Sequence, residues 1–335
     1  MFVDGALPTD LAAIPTEAAA MEQVGFDGLL TFETSHDPFF PLLLAAEHTE
    51  RPKLITSIAV AFARNPMNLA HIGFDLQAAS GGRFVLGLGS QIKPHIEKRF
   101  SMPWSHPAAR MREMILAIRA IWATWQTREP LDFRGEFYRH TLMTPMFDPG
   151  PNPYGYADIW LAGVGPKMTE VAGEVADGFF VHPFSTPEYV RTVTLPALER
   201  GFAKSGRKRS DFTISWPVFV VTGTDDEEVA TNEQAVRKQI AFYGSTPAYK
   251  PVLELLGAGD LSDELNRLSK HGKWDDMAAL ITPDLMDAFA VQASPEDVPR
   301  VCRERFGALV DRVSFTPSYQ RDPQRWADVL HDFRG

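Results

Sequence analysis

Short apolar, strand-like segments alternate with longer segments of helical periodicity from one end of this chain to the other. Such alternation indicates βαβ units, which place parallel strands in one sheet and cover that sheet with helices. The segments FVLGLG at 84–89 and WPVFVV at 216–221 are apolar without interruption, as expected for strands buried on both faces. The sequence therefore predicts an α/β fold built on a parallel sheet.

Eight segments have the length and apolar content of strands. Closure into a (β/α)8 TIM barrel is favoured over an open doubly wound sheet, because such sheets usually carry GxGxxG after the first strand and this chain does not. Barrels of this kind commonly form one domain of about 250 residues or more, so we predict a single barrel domain over residues 1–335. The predicted strands are residues 1–5, 26–33, 53–62, 83–91, 157–165, 177–183, 211–222 and 312–318.

Two stretches interrupt the repeat and are predicted to be insertions, at about residues 126–156 and 225–293. The first contains DFRGEFY at 132–138, in which Arg134–Gly135 predicts a hairpin turn, followed by a loop rich in Pro and Gly. The second is mostly helical in its periodicity and separates the seventh strand from the eighth. We expect it to pack beside the carboxyl-terminal mouth of the barrel.

Charge and composition exclude several classes of function. A net charge of -10 and a pI of about 5.4 argue against a nucleic-acid partner, because phosphate binding needs a basic face. The most apolar run, at 38–46, is far shorter than the ~20 residues of a membrane span, and no signal-peptide pattern is present. We therefore expect a cytoplasmic protein without membrane association.

The one cysteine, Cys302, stands in an amphipathic helical pattern and is expected to be an inert thiol.

Reactive groups of a barrel sit at the carboxyl ends of its strands. The second strand ends in TFETSHDPFF, where His36 stands beside Glu33 and Asp37 and is suited to act as acid, base or hydrogen-bond donor. The alternative is that Asp37 and Pro38 only cap the next helix and leave His36 as a loop residue. HExxH, paired CxxC, Walker A and GxSxG motifs are absent, so no metal, nucleotide-triphosphate or serine-hydrolase site is predicted.

The third and fourth strands end in small residues. Those of TSIAVA at 56–61 either let a flat ring approach the backbone or fill a tapering barrel interior. The fourth strand continues as GLGSQIKPH, in which the glycines mark either a close approach of a ligand or a bend. Ser90, Gln91 and His95 supply polar groups there.

The fifth strand runs into a glycine-rich turn, GVGPKM, at the start of a helix. Free backbone N–H groups and the helix dipole at such a turn favour an anion. Gly-Pro is also common at the start of helices that bind no ligand. The turn is therefore a candidate phosphate site that competes with a purely structural interpretation.

Four segments together resemble the luciferase-like monooxygenase superfamily: HDPFFPLLLAAEHT, FARNPMNLAHIGFDLQAASGGR, GGRFVLGLGSQ and LAGVGPKMTEVAGEVADGF. The resemblance covers essentially the whole chain. It looks closest to the branch of coenzyme F420-dependent oxidoreductases, as does the helical segment VRKQIAFYGSTPAYKPVLELLG. The resemblance implies the same closed barrel and an enzyme that holds F420, or alternatively FMN, at the barrel mouth.

The resemblance also implies which residues form the cofactor site. The cofactor ring would lie against a non-prolyl cis peptide in a bulge of the third strand, which maps onto Ser57 and Ile58. The cofactor phosphate would be held by the turn after the fifth strand, with further groups from the end of the fourth. These remaining cofactor-binding positions are Ser90, Gln91, His95, Gly163, Val164, Gly165, Pro166, Lys167 and Met168.

The implied reaction is hydride transfer between F420 and an alcohol, a carbonyl compound or a related small organic substrate, with His36 as the catalytic residue that moves the hydroxyl proton. Related dehydrogenases usually carry Asp-His after the second strand, whereas this chain carries Ser35-His36-Asp37. The glutamate and lysine of the family's sugar-phosphate dehydrogenase are missing from SQIKPH and HPFSTP, so a sugar phosphate is disfavoured.

Two alternatives share this fold. One is an FMN-dependent monooxygenase that uses O2 with a reductase partner, and the other is a catalytically silent flavin- or deazaflavin-binding protein. In each case we expect a homodimer or higher homo-oligomer with a small-molecule ligand. Residues 225–293 and four side chains are expected to wall the pocket, namely Trp104, His106, His140 and His182.

Overall fold

The computed structural model describes residues 1–315 and 326–334. Each predicted strand contains an observed one, and the end of the eighth predicted strand, residues 316–318, lies outside the described residues. The strands are β1 Phe2–Ala6, β2 Gly28–Thr31, β3 Lys53–Thr56, β4 Ala59–Val60, β5 Phe84–Gly89, β6 Phe133–Arg134, β7 Arg139–His140, β8 Asp158–Ala162, β9 Gly178–Phe180, β10 Thr213–Val221, β11 Ala290–Gln292 and β12 Arg312–Phe315.

Most helices begin where the sequence supplies a proline or a polar cap. Asn65, for example, accepts a hydrogen bond from the backbone N–H of Asn68 at 3.0 Å, and Asp225 accepts one from Glu228 at 2.8 Å. The helices are α1 Ile14–Val24, α2 Phe39–His48, α3 Pro66–Ala79, α4 Pro107–Thr127, α5 Pro166–Val175, α6 Pro187–Tyr189, α7 Leu195–Ser205, α8 Asp226–Gly244, α9 Lys250–Leu255, α10 Gly259–Ser269, α11 Trp274–Ala279, α12 Pro283–Phe289, α13 Val298–Phe306 and α14 Ala327–Arg334.

The chain forms two compact units. We call residues 5–180 and 197–213 the amino-terminal unit, and residues 1–4, 181–196 and 214–335 the carboxyl-terminal unit. In the described part of the chain no helix is both long enough and apolar enough to cross a membrane.

The amino-terminal unit contains parallel strands in the order β2, β3, β5, β8, β9, with β4 also paired to β5. Buried side chains of these strands form a cluster that consists of Leu30, Ile55, Val85, Trp160 and Phe180. The chain leaves the ladder between β3 and β4 and then rejoins β5, which produces a bulge at the predicted place in the third strand.

The predicted hairpin is present in this unit, but its turn lies further along the chain. Phe133 pairs with His140 and Arg134 with Arg139, so the loop spans residues 135–138 and not Arg134–Gly135. The carboxylate of Glu113 on α4 accepts backbone hydrogen bonds from Glu136, at 2.9 Å, and from the two residues that follow it. Gly135 is thus the first residue of the loop, and Glu113 of α4 binds the three residues that follow it.

The carboxyl-terminal unit contains parallel strands in the order β11, β10, β12, β1. The segment predicted as a helical insertion is indeed helical from α8 to α12, but it ends in β11, an extra strand that the sequence did not predict and that pairs with β10. Cys302 on α13 is buried, and burial raises the pKa of its thiol to about 12. The thiol therefore stays protonated and inert, as predicted.

Candidate functional site

The bulge after β3 is the most distinctive local feature of the amino-terminal unit. The peptide bond between Ser57 and Ile58 is cis, at the predicted position. The hydroxyl of Thr56 donates to the carbonyl of Gly87 at 2.8 Å and accepts from its N–H at 2.9 Å. A Cβ on Gly87 would lie 1.7 Å from the carbonyl oxygen of Thr56. The close approach of two strands is therefore sufficient to require glycine at position 87.

An apolar surface lies at the carboxyl ends of β3, β5 and β8. A Cβ on Gly89 would stand 2.8 Å from the side chain of Ile58, so this glycine leaves room for that side chain. Ile58 and Ala162 are half-buried and pack on the cluster below them. Gly89 and Ala162 carry no large side chain, so they leave Ile58 as the largest side chain of this surface. Such a surface suits a planar ring.

Both carboxylates near His36 are bound by Arg64. Glu33 accepts hydrogen bonds from Arg64 at 2.6 Å and from the N–H of Val60 at 2.7 Å, and Arg64 also donates to Asp37 at 3.2 Å. The side chain of Glu33 is only 6% exposed and that of Arg64 17%. The ion pairs therefore join the loop after β2 to the residues after β4. Both carboxylates are thus bonded to Arg64, and neither bonds to His36 within the described residues.

His36 is exposed and has no hydrogen-bond or ion-pair partner in the described part of the chain. The neighbouring Asp37 accepts a hydrogen bond from the N–H of Phe39 at 2.8 Å and so caps the start of α2. The capping interpretation therefore holds for Asp37. It leaves both ring nitrogens of His36 free for a ligand.

The polar groups after β5 form a tight turn. The hydroxyl of Ser90 donates to the carbonyl of Gln91 at 3.1 Å, and Gln91 has a φ of 59° and accepts from the N–H of Ile92 at 3.0 Å. His95 is exposed at the start of the following turn. Further on, Arg99 donates to the carbonyl of Thr34, which joins the loop after β5 to the loop after β2.

The turn after β8 presents unpaired amides at the start of α5. The carbonyl of Gly165 accepts from Met168 at 3.1 Å and from Thr169 at 3.2 Å, while the N–H groups of Val164, Gly165 and Lys167 make no hydrogen bond within the described residues. A Cβ on Gly165 would meet no atom within 4 Å. Residues 165–167 are exposed, so these unbonded amides are available to an anion at the helix start.

The remaining predicted residues are spread over both units. Trp104 packs edge-on against Phe62, with ring centroids 5.6 Å apart, and His106 lies 5.9 Å from the ring of Phe137. His140 is half-buried, and burial lowers the pKa of its imidazole. All of these belong to the amino-terminal unit, whereas His182 belongs to the carboxyl-terminal unit.

Comparison with known proteins identifies the family. A model of luciferase-like monooxygenase matches residues 3–313. An uncharacterized protein of Mycobacterium tuberculosis is 54% identical over 333 residues, which cover 99% of this chain and 97% of that protein. A putative coenzyme F420-dependent oxidoreductase of the same organism is 30% identical over 290 residues, 80% of each chain.

The fold is shared with the coenzyme F420-dependent tetrahydromethanopterin reductase of Methanopyrus kandleri, at a TM-score of 0.80 and 20% identity over 98% of this chain and 96% of that one. The predicted architecture, a closed barrel of eight parallel strands surrounded by helices, is thereby confirmed. The chain belongs to the luciferase-like monooxygenase family.

Proposed function

We propose that this protein is an oxidoreductase that transfers a hydride between the deazaflavin coenzyme F420 and an alcohol or carbonyl carbon of a small organic substrate. The M. tuberculosis relative and the M. kandleri reductase, both named as F420-dependent, support the choice of cofactor. The observation that carries the proposal is the turn at Gly163–Met168, in which three amides at a helix start make no hydrogen bond within the described residues.

The residues present fit such a cofactor. The amides of Val164, Gly165 and Lys167 would hold its phosphate, aided by the α5 dipole and the charge of the Lys167 side chain. Ile58 and Ala162 would support the planar ring from below. When bound, F420 supplies a carbon that accepts or gives a hydride.

His36 would handle the proton of the reaction. Oxidation of an alcohol releases the hydroxyl proton, which an imidazole nitrogen of His36 would accept, while bound F420 would supply the hydride acceptor. Reduction of a carbonyl runs the same transfer in reverse. Arg64 holds Glu33 and Asp37 on either side of the loop, so it would act as a positioning residue for the segment that carries His36.

The family description favours a second candidate, an FMN-dependent monooxygenase. Cofactor identity separates the two, because a deazaflavin has carbon at position five and reacts poorly with oxygen. Titration of the purified protein with F420 and, separately, with FMN, followed by fluorescence, measures the preference. We expect F420 to bind more tightly. Tighter binding of FMN, with oxygen consumption by the reduced complex, would support the monooxygenase.

A substitution in the turn tests the phosphate site. In Gly165→Val the side chain would occupy the space in front of the amides, so we expect F420 affinity to fall roughly ten- to hundredfold, the value of one or two charge-assisted hydrogen bonds. Gly165 has a φ of -87°, so valine strains no backbone there, and the melting temperature should change little. Gly165→Ala should give a smaller loss. Unchanged affinity in both variants would place the phosphate elsewhere.

A further inference from the structure

A cluster of three polar aromatic side chains lies in the carboxyl-terminal unit. The ring of His182, two residues after β9, stands 4.3 Å from the ring of Tyr249 and 4.9 Å from that of Tyr243, measured between centroids. We call these three residues the His182 cluster. The two tyrosines are half-buried and pack on a core whose buried members include Phe184 and Phe219. The cluster thus lies at the border between a core and accessible space.

The hydrogen bonds of His182 fix which nitrogen is free. Its Nδ1 accepts from the backbone N–H of Phe184 at 3.1 Å. A neutral imidazole that accepts at Nδ1 carries its hydrogen on Nε2. No group in the described residues accepts from this Nε2–H, and the nitrogen is not fully buried. His182 therefore keeps one oriented donor for a ligand.

The two tyrosines differ in their hydrogen bonds. The hydroxyl of Tyr243 bonds to the side chain of Gln239, one turn earlier on α8. The hydroxyl of Tyr249 makes no hydrogen bond to any residue that the structure describes, and its oxygen is not fully buried. Tyr249 therefore adds a second free polar group close to His182.

The cluster carries no charge at neutral pH. Burial lowers the pKa of His182 to about 3 and raises that of Tyr249 to about 12, and it also raises the pKa of Tyr243. The adjacent cation, Lys250, is paired with Asp263 at 2.8 Å. A carboxylate or phosphate placed against these rings would lose water without gaining an opposite charge, which is unfavourable.

We propose that the His182 cluster binds an uncharged organic molecule through a carbonyl or hydroxyl oxygen, which accepts hydrogen bonds from His182 Nε2–H and from the hydroxyl of Tyr249. The apolar part of the molecule lies against the aromatic rings, where contact of this kind is favourable. This inference rests on the proposed function, because His182 was expected to wall the substrate pocket, and it deepens that function by naming groups that would hold an oxygen of the substrate. All three residues lie in the carboxyl-terminal unit, and none of them is assigned to the cofactor.

Two probes of nearly equal size test the charge requirement. The full chain, without F420 or FMN, is titrated with acetophenone and with benzoate while the histidine side-chain N–H signals are followed by NMR. The Nε2–H signal of His182 is assigned by its loss in His182→Phe. We expect a saturable shift of this signal with acetophenone and binding of benzoate that is weaker by at least about tenfold.

Variants test the two hydrogen bonds. Tyr249→Phe removes one oxygen and should weaken acetophenone binding about three- to tenfold, the usual value of one hydrogen bond. His182→Phe should weaken it by a similar factor, as measured by ligand-detected NMR. Tyr154→Phe, whose side chain is exposed in the other unit, is the control and should change nothing.

Three outcomes would overturn the proposal. They are the absence of a saturable shift up to the solubility limit of acetophenone, equal affinity for both probes, and unchanged affinity in a folded Tyr249→Phe variant. Because no cofactor is present in these measurements, failure here is distinct from failure of F420 binding.

Discussion

His36 and His182 both follow strands of the barrel, yet their surroundings are opposite. His36 comes after β2, is exposed, and has neither ring nitrogen bonded within the described residues. His182 comes after β9, packs against two tyrosines, and has Nδ1 bound to a backbone N–H. Exchange of protons with a substrate requires an accessible nitrogen, which His36 has, whereas His182 is kept neutral and can only donate a hydrogen bond. Both histidines stand after a strand, so it is their surroundings that give them different roles.

The largest expected effect is on catalysis by His36. His36→Ala should lower kcat/KM roughly 10²–10⁴-fold while F420 affinity stays nearly unchanged, because a positioned general acid or base contributes that much and the residue is not part of the phosphate turn. Steady-state kinetics with F420 and an alcohol substrate measure the loss. His48→Ala, which changes another exposed histidine, at the end of α2, should leave the rate unchanged.

A loss of less than about threefold in a folded His36→Ala variant corresponds to under ~0.7 kcal/mol of transition-state stabilisation and would remove His36 from the mechanism. His95 would then be the next candidate, since it is exposed in the segment that follows β5. His182 would not, because its pKa of about 3 leaves it a poor proton acceptor at neutral pH.

The next effect concerns the ion pairs of Arg64 with Glu33 and Asp37, the two carboxylates next to His36 in the sequence. If Arg64 is what occupies Glu33 and Asp37, then Arg64→Met leaves the largely buried Glu33 without its cation and should lower the free energy of unfolding by about 3 kcal/mol. Arg134→Met breaks a pair in which both side chains are more than half exposed, and should cost under ~1 kcal/mol. Urea denaturation compares the two variants, and equal losses would contradict a structural role for the Arg64 pairs.

Sequence periodicity was sufficient to predict the barrel, because each long strand and helix carries its own apolar pattern. It failed where a partner far along the chain decides the structure. The three-residue strand β11 exists by pairing with β10, some seventy residues earlier, and has no pattern of its own. The hairpin turn was misplaced for the same reason, since Glu113 on α4 binds its loop.

The candidate site shows the same limit. The glycines of β5 were visible, but the reason for Gly87 is the Thr56 carbonyl, 31 residues away. Arg64 was missed because its two carboxylates are 27 and 31 residues away. The turn after β8 could be found from the sequence, since Gly-Pro before a helix is a local signal whose amides remain free in the structure.

The last expected effect tests whether burial holds His182 neutral. Its pKa is about 3 in the folded protein, against about 6.5 in an unfolded chain. Between these values the unfolded state binds the proton and the folded state does not, so this group lowers stability as the pH falls from about 6.5 towards 3, by at most about 1.4 kcal/mol per pH unit. Above pH 6.5 it has no effect.

The difference between the protein and His182→Phe isolates this contribution, because the carboxylates and His140, whose pKa is also lowered by burial, are the same in both. Chemical denaturation at several pH values between 7 and 4 measures the free energy of unfolding. It should fall less with decreasing pH in His182→Phe than in the original chain. His271→Phe, which changes an exposed ring, is the control and should follow the original chain. Equal slopes for His182→Phe and the original chain would mean that the folded protein protonates His182 readily. In that case burial would not hold His182 neutral, and His182 would become a second candidate for proton transfer.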